Sequence, residues 1–139
     1  MTSSSLSAQA PRINPETKPF WDATLQGKLL LPRCRRCQTF IWYPKTLCSP
    51  CGSMEVDWVE SAGTGTVYTF TIMRATRGAG PFGPAVPYVI AYVELDEGPR
   101  LTTNILDCPL DRIKIGMRVE AAYEDITDDI TLLQFRPAA

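Results

Sequence analysis

Four cysteines carry the chemistry this sequence displays most plainly. Cys34 and Cys37 form one C-x2-C pair and Cys48 and Cys51 a second, with ten residues between the pairs. A tight turn across two residues aims both sulfurs of a pair at one point. Two such pairs bring four thiolates within tetrahedral reach of one ion. Zn2+ is the expected occupant, and an iron centre of the rubredoxin type, with the same four-sulfur geometry, is the alternative. Local disulfides or free thiols are disfavoured, because the start MTSSSLSAQAPRIN lacks the basic and apolar segments of a secretory leader. A cytoplasmic location is the corresponding expectation. Four sulfurs close the coordination shell, so the ion is expected to hold structure and not to activate water.

Little else in the chain is equipped for catalysis. It contains no histidine, which excludes Ser-His-Asp and Cys-His nucleophilic machinery and imidazole acid–base work. The fifth cysteine, Cys108, sits in Asp107-Cys108-Pro109 with no base beside it in sequence, and reads as a buried structural thiol. The acidic groups Glu94/Asp96/Glu97 and Glu124/Asp125/Asp128/Asp129 lack the spacing of a calcium loop and read as solvated turns. No catalytic residue is assigned.

The elements that must position the cysteines follow from patterning. With 139 residues and 45% hydrophobic content, the chain is sized for one small folded unit. The longest apolar stretch, Ala85 to Val93, is less than half of a membrane span. Residues 1–13 are Ser/Ala-rich and read as a flexible leader. Residues 14–27 predict a short amphipathic helix, with Pro19 in its first turn and Gly27 just past its end. Its aromatic pair, Phe20–Trp21, must dock on the chain's own core or on a partner. Residues 28–55 hold the metal motif, with a hairpin at TFIWYP between the pairs. From residue 56 to 139, VDWVE, GTVYTFTIMRAT, YVIAYVELD, RLTTNIL, RVEAAYED and ITLLQFRP read as strands divided by Gly/Pro turns. The class is mainly β, and five or six strands at this spacing suggest a closed antiparallel barrel of the OB-fold kind.

These pieces together resemble the domain-of-unknown-function-35 family. The resemblance runs from PFWDATLQGKLLLPRCRRC and CSPCG to GTGTVYTFTIMR and PYVIAYVELDEGPRL. It implies a rubredoxin-like zinc ribbon followed by an OB-fold barrel. It also implies an accessory role beside a thiolase-superfamily partner that handles an acyl-CoA, with two copies of each chain and the catalytic residues on the partner. Settings implied in the same way include steroid side-chain aldolases, which run a retro-aldol cleavage, and thiolases or acyltransferases of other pathways.

Charge adds a site hypothesis. The net charge is −1, yet from Ala23 to Met54 there are five bases (Lys28, Arg33, Arg35, Arg36, Lys45) and no acid. These are candidates for pairing with the phosphates of coenzyme A, against the simpler role of solvating the ribbon. Phe20, Trp21 and Phe82, the last in the Gly/Pro loop Arg77 to Pro87, are candidates for the partner interface; for Phe82 the alternative is folding back on the barrel. A zinc ribbon with an OB-fold would also suit a nucleic-acid binder. Acids outnumber bases from Val56 onward, however, and such a barrel repels phosphates.

Overall fold

The computed structural model describes residues 10–75, 77 and 86–138; Phe82 lies outside the described residues. Entry into the fold is a turn in which Thr17 N–H donates to Asn14 Oδ1 at 3.0 Å. The helix α1 (Lys18–Leu25) follows with Pro19 in its opening turn, shorter than the stretch patterned for it. Its buried face is Phe20, Ala23 and Thr24. The C-terminus closes with Lys28 N–H on Ala23 O at 3.0 Å and Gly27 N–H on Thr24 O at 3.0 Å. That pairing needs a left-handed residue at position 27, and Gly27 supplies it at φ 70°.

Two sheets follow. A two-stranded ribbon joins β1 (Leu30–Cys34) to β2 (Val56–Glu60), with Leu30 opposite Glu60 and Cys34 opposite Val56. The remaining strands are β3 (Thr64–Met73), β4 (Tyr88–Leu95), β5 (Arg100–Ile105), β6 (Arg118–Asp125) and β7 (Thr131–Pro137). They close in the order β3-β4-β5-β7-β6, with β6 returning to β3. A five-stranded barrel of this kind is the OB-fold.

Two readings from the sequence are corrected. VDWVE, grouped with the barrel strands, pairs with β1 of the ribbon instead. TFIWYP forms no hairpin of its own: Phe40 bridges back to Arg33, and Ile41 N–H donates to Pro32 O at 2.8 Å. The segment thus lies along β1 before Trp42 turns towards the barrel. Both differences share a cause, since an alternating run shows which face is buried but not which strand it pairs with.

The barrel core is built from Val67, Val93, Leu95, Leu101, Val119 and Phe135, and Leu29 and Leu31 from the ribbon side join it. One end of β1 is therefore anchored in the barrel core while the other carries Cys34. At Gly65 an added Cβ would lie 2.5 Å from Glu94 O, so β3 and β4 can approach closely only where a side chain is missing.

The acids of the β4–β5 turn are not free solvating charges, as patterning suggested. Glu94 pairs with Arg100 at 2.8 Å and Asp96 with Arg118 at 2.8 Å. Glu97 accepts from Ser61 Oγ and from the Ala62 amide, each at 2.9 Å. Hydrogen bonds from Arg118 and Thr64 pull the Asp96 carboxyl down to about 2 from its usual 3.8. A depressed carboxylate adds stability above its unfolded pKa and loses it as pH falls towards the folded value. The contribution is therefore intact above about pH 4 and gone near pH 2. Both partners are well exposed, which holds it below about 1 kcal/mol. Asp96→Asn is expected to flatten the acid side of the stability curve in that window. An unchanged acid limb in denaturant titrations would remove the assignment.

Candidate metal centre and partner surface

Each cysteine pair is set by the same backbone device. In the first, Gln38 N–H donates to Cys34 O at 2.9 Å and Cys34 N–H to Thr39 O at 2.9 Å. In the second, Gly52 N–H donates to Cys48 O at 2.7 Å and Cys48 N–H to Ser53 O at 2.9 Å. The residue after each pair adopts positive φ, 65° at Gln38 and 75° at Gly52. Glycine accepts that conformation readily. Gln38 is held there by its own Nε2, which donates to Arg35 O at 2.7 Å.

The two turns bring the four Sγ atoms within 4.8 Å of one another. Cys34 and Cys51 sulfurs are 3.6 Å apart, and Cys37 and Cys48 sulfurs 3.5 Å. A tetrahedral ion with metal–sulfur bonds of about 2.3 Å requires sulfur–sulfur edges of about 3.8 Å. The donor set therefore fits a structural metal, with Cys34 and Cys48 buried and Cys37 and Cys51 exposed. The local environments differ: hydrogen bonds from the Thr39 hydroxyl and amide lower the Cys37 thiol to about 6, whereas burial raises Cys48 to about 12.

The other candidates are distributed differently. Phe20 is only 7% exposed and belongs to the barrel core, so the chain covers it itself. Trp21 is half-buried, stacked edge-on against Phe20 with centroids 4.9 Å apart. The five bases do not converge. Lys28 precedes β1 and lines a hollow that Glu60 and Glu120 also line, whereas Arg35 and Arg36 lie beyond its other end. At about 3.3 Å a residue the strand separates them by roughly 16 Å. Arg33 lies over the Phe40 ring at 5.3 Å, and Arg35 pairs with Asp57 at 3.0 Å. Among the described residues, Arg36 and Lys45 are exposed and outside any ion pair. Near them in sequence, Tyr43, Leu47 and Met54 are exposed large apolar side chains that composition did not single out. Cys108 is half-buried, and burial raises its thiol pKa, which opposes a nucleophilic role.

Sequence comparison finds the same two parts in the same order, with the boundary between them inside β2. Residues 21–57 match the rubredoxin-like zinc ribbon domain of ChsH2, and residues 58–124 match the ChsH2 C-terminal OB-fold domain. The chain belongs to the ChsH2-type DUF35 family. A DUF35 domain-containing scaffold protein of Methanocaldococcus jannaschii is 36% identical over 98 residues, covering 70% of this chain and 68% of that one. A probable enoyl-CoA hydratase alpha subunit of Thermomonospora curvata is 40% identical over 130 residues; the match covers 92% of this chain but spans only 39% of that subunit. The benzoylsuccinyl-CoA thiolase subunit BbsA of Geobacter metallireducens is 27% identical over 107 residues, covering 75% of this chain and 69% of the subunit. Among solved structures, the Ltp2–ChsH2(DUF35) aldolase contains a chain 39% identical to this one. It superposes with a TM-score of 0.82, covering 94% of this chain and all of that one. No described helix of this DUF35 protein is long and apolar enough to cross a membrane.

Proposed function

We propose that this DUF35 protein is the accessory subunit of an acyl-CoA-processing enzyme, completing the active site or CoA channel of a thiolase-fold partner. The favoured reaction is an aldolase step such as retro-aldol cleavage of a steroid side chain. The observation that carries this reading is the full-length match to the DUF35 chain of the Ltp2–ChsH2 aldolase. The chain's own chemistry is consistent with it: there is no histidine, burial pushes the Cys108 thiol pKa up, and four sulfurs leave no open metal position. The ion is proposed to be zinc, which would fold the cysteine turns and supply no chemistry to substrate. A heterotetramer of two copies of each chain in the cytoplasm, without membrane or nucleic-acid contacts, belongs to the same proposal. A second reading, a subunit of an acyl-CoA thiolase, is favoured by the likeness to the Geobacter subunit.

Within this reading, Tyr43, Leu47 and Met54 provide apolar anchors and Arg36 and Lys45 provide orienting charge. Reconstitution from separately purified chains, with mass and activity followed together, tests the proposal. This protein alone should show no acyl-CoA cleavage, and the partner should gain activity when it is added. A partner equally active without it would overturn the role. In the complex, reversing Arg35 and Arg36 to Glu should raise the KM for acyl-CoA several-fold, as expected for lost charge-assisted contacts to phosphate. Lys28→Glu, at the far end of β1, should leave KM unchanged. Equal effects from both changes would point to general charge and not to a phosphate contact.

A further inference from the structure

Two hydroxyl residues stand at the same place in the two cysteine turns: Thr39 is two residues after Cys37, and Ser53 two residues after Cys51. The backbone carbonyl of each accepts from the amide of the first cysteine of its own pair, Thr39 O from Cys34 N–H and Ser53 O from Cys48 N–H, both at 2.9 Å. Their side chains go different ways. The Ser53 hydroxyl is turned to the backbone and accepts from the Glu55 amide at 3.0 Å. The Thr39 hydroxyl lies 3.2 Å from Cys37 Sγ. Among the described residues no other side-chain oxygen meets a sulfur of the cluster.

The direction of that contact follows from ligation. A free thiol could donate to the Thr39 oxygen, but a sulfur that holds a metal has lost its proton and only accepts. With the ion bound, the hydroxyl is therefore the donor. Four thiolates carry four negative charges and a divalent ion cancels two of them, so the sulfurs keep an excess. Donors around the ligands spread that excess, and a hydrogen bond to a charged acceptor is roughly twice as strong as a neutral one. Donors of this kind also fix the orientation of a ligand and raise the affinity of its site. The Thr39 amide donates to the same sulfur, so this one residue grips Cys37 from the backbone and from the side chain.

We propose that Thr39 is a positioning residue for the metal: its hydroxyl donates to the Cys37 thiolate, aims that sulfur at the ion and raises the affinity of the site, while Ser53 at the equivalent place only shapes its turn. The inference concerns this chain alone and does not rest on the partner reading. Cobalt(II) loaded into the full chain in place of zinc tests it, because its thiolate-to-metal charge-transfer absorption moves to lower energy when a hydrogen bond to sulfur is lost. Thr39→Val keeps the shape of the side chain and removes the hydroxyl. It is expected to move that band to longer wavelength and to weaken zinc binding about tenfold in chelator competition. Thr39→Ser restores the donor and should return both readings to those of the unmodified chain. Ser53→Ala should leave the band where it is. Were Thr39 needed only for packing through its methyl group, the pattern would invert, with Thr39→Val tolerated and Thr39→Ser not. Metal uptake lost in Thr39→Val and kept in Thr39→Ser supports the proposal as the band shift does. An unmoved band or unchanged affinity in Thr39→Val, no rescue in Thr39→Ser, or an equal shift in Ser53→Ala would overturn it.

Discussion

Cys48→Ser is expected to strip the metal from this protein and to unfold the ribbon beyond Cys34, while the barrel survives. The ribbon tip has almost no apolar core of its own. Its buried cluster is Cys34, Ile41 and Cys48, with only Val56 packed against it. A cluster that small cannot offset the entropy of ordering the chain around it, so metal binding must supply the folding energy. Serine is a poor ligand for such an ion, and at this buried position it also leaves a hydroxyl needing a partner. The anchor end of β1 has a different support, since Leu29 and Leu31 are part of the barrel core. Metal content should fall from about one equivalent to below about a tenth. Amide-exchange protection should vanish between Cys34 and Val56 and persist in β3 to β7. Cys108→Ser, away from the cluster, should change neither. Stoichiometric metal or intact ribbon protection in Cys48→Ser would defeat this account.

What could be read from the sequence divides along one physical line. The metal centre was legible because its information is local: each C-x2-C pair makes its own turn, and the fold has only to bring two turns together. The barrel was legible as a class because β-branched runs alternate between punctuating turns. Partnership was not legible. VDWVE looks like any half-buried strand, and only its pairing with β1 removes it from the barrel. The block of five bases is contiguous in sequence, yet an extended strand carries Lys28 away from Arg35 and Arg36. Thr39 and Ser53 hold equivalent places after their cysteine pairs, and only the fold sends one hydroxyl to sulfur and the other to the backbone.

Phe20→Ala is expected to cost about 3–5 kcal/mol, the range for deleting a buried aromatic side chain. Phe20 was a candidate for contact with a partner, and its position in the core argues otherwise. Its ring meets Trp21 edge-on at 4.9 Å and Trp42 edge-on at 5.6 Å. It thereby links α1 to the segment leaving the ribbon, and both to the barrel core. Removing it would open a cavity at the joint of three elements, where neither α1 nor the ribbon can collapse inward without abandoning the other. For a chain of this length the cost corresponds to a fall in Tm of about 10–15 °C. Metal content should be unaffected, because no sulfur ligand depends on the ring. Trp21→Ala, truncating a half-buried neighbour, should cost clearly less. The two explanations of Phe20 therefore separate in the isolated chain. A core residue lowers Tm with no partner present, whereas an interface residue leaves Tm unchanged and weakens only the complex. An unchanged Tm in Phe20→Ala would return this side chain to the partner surface.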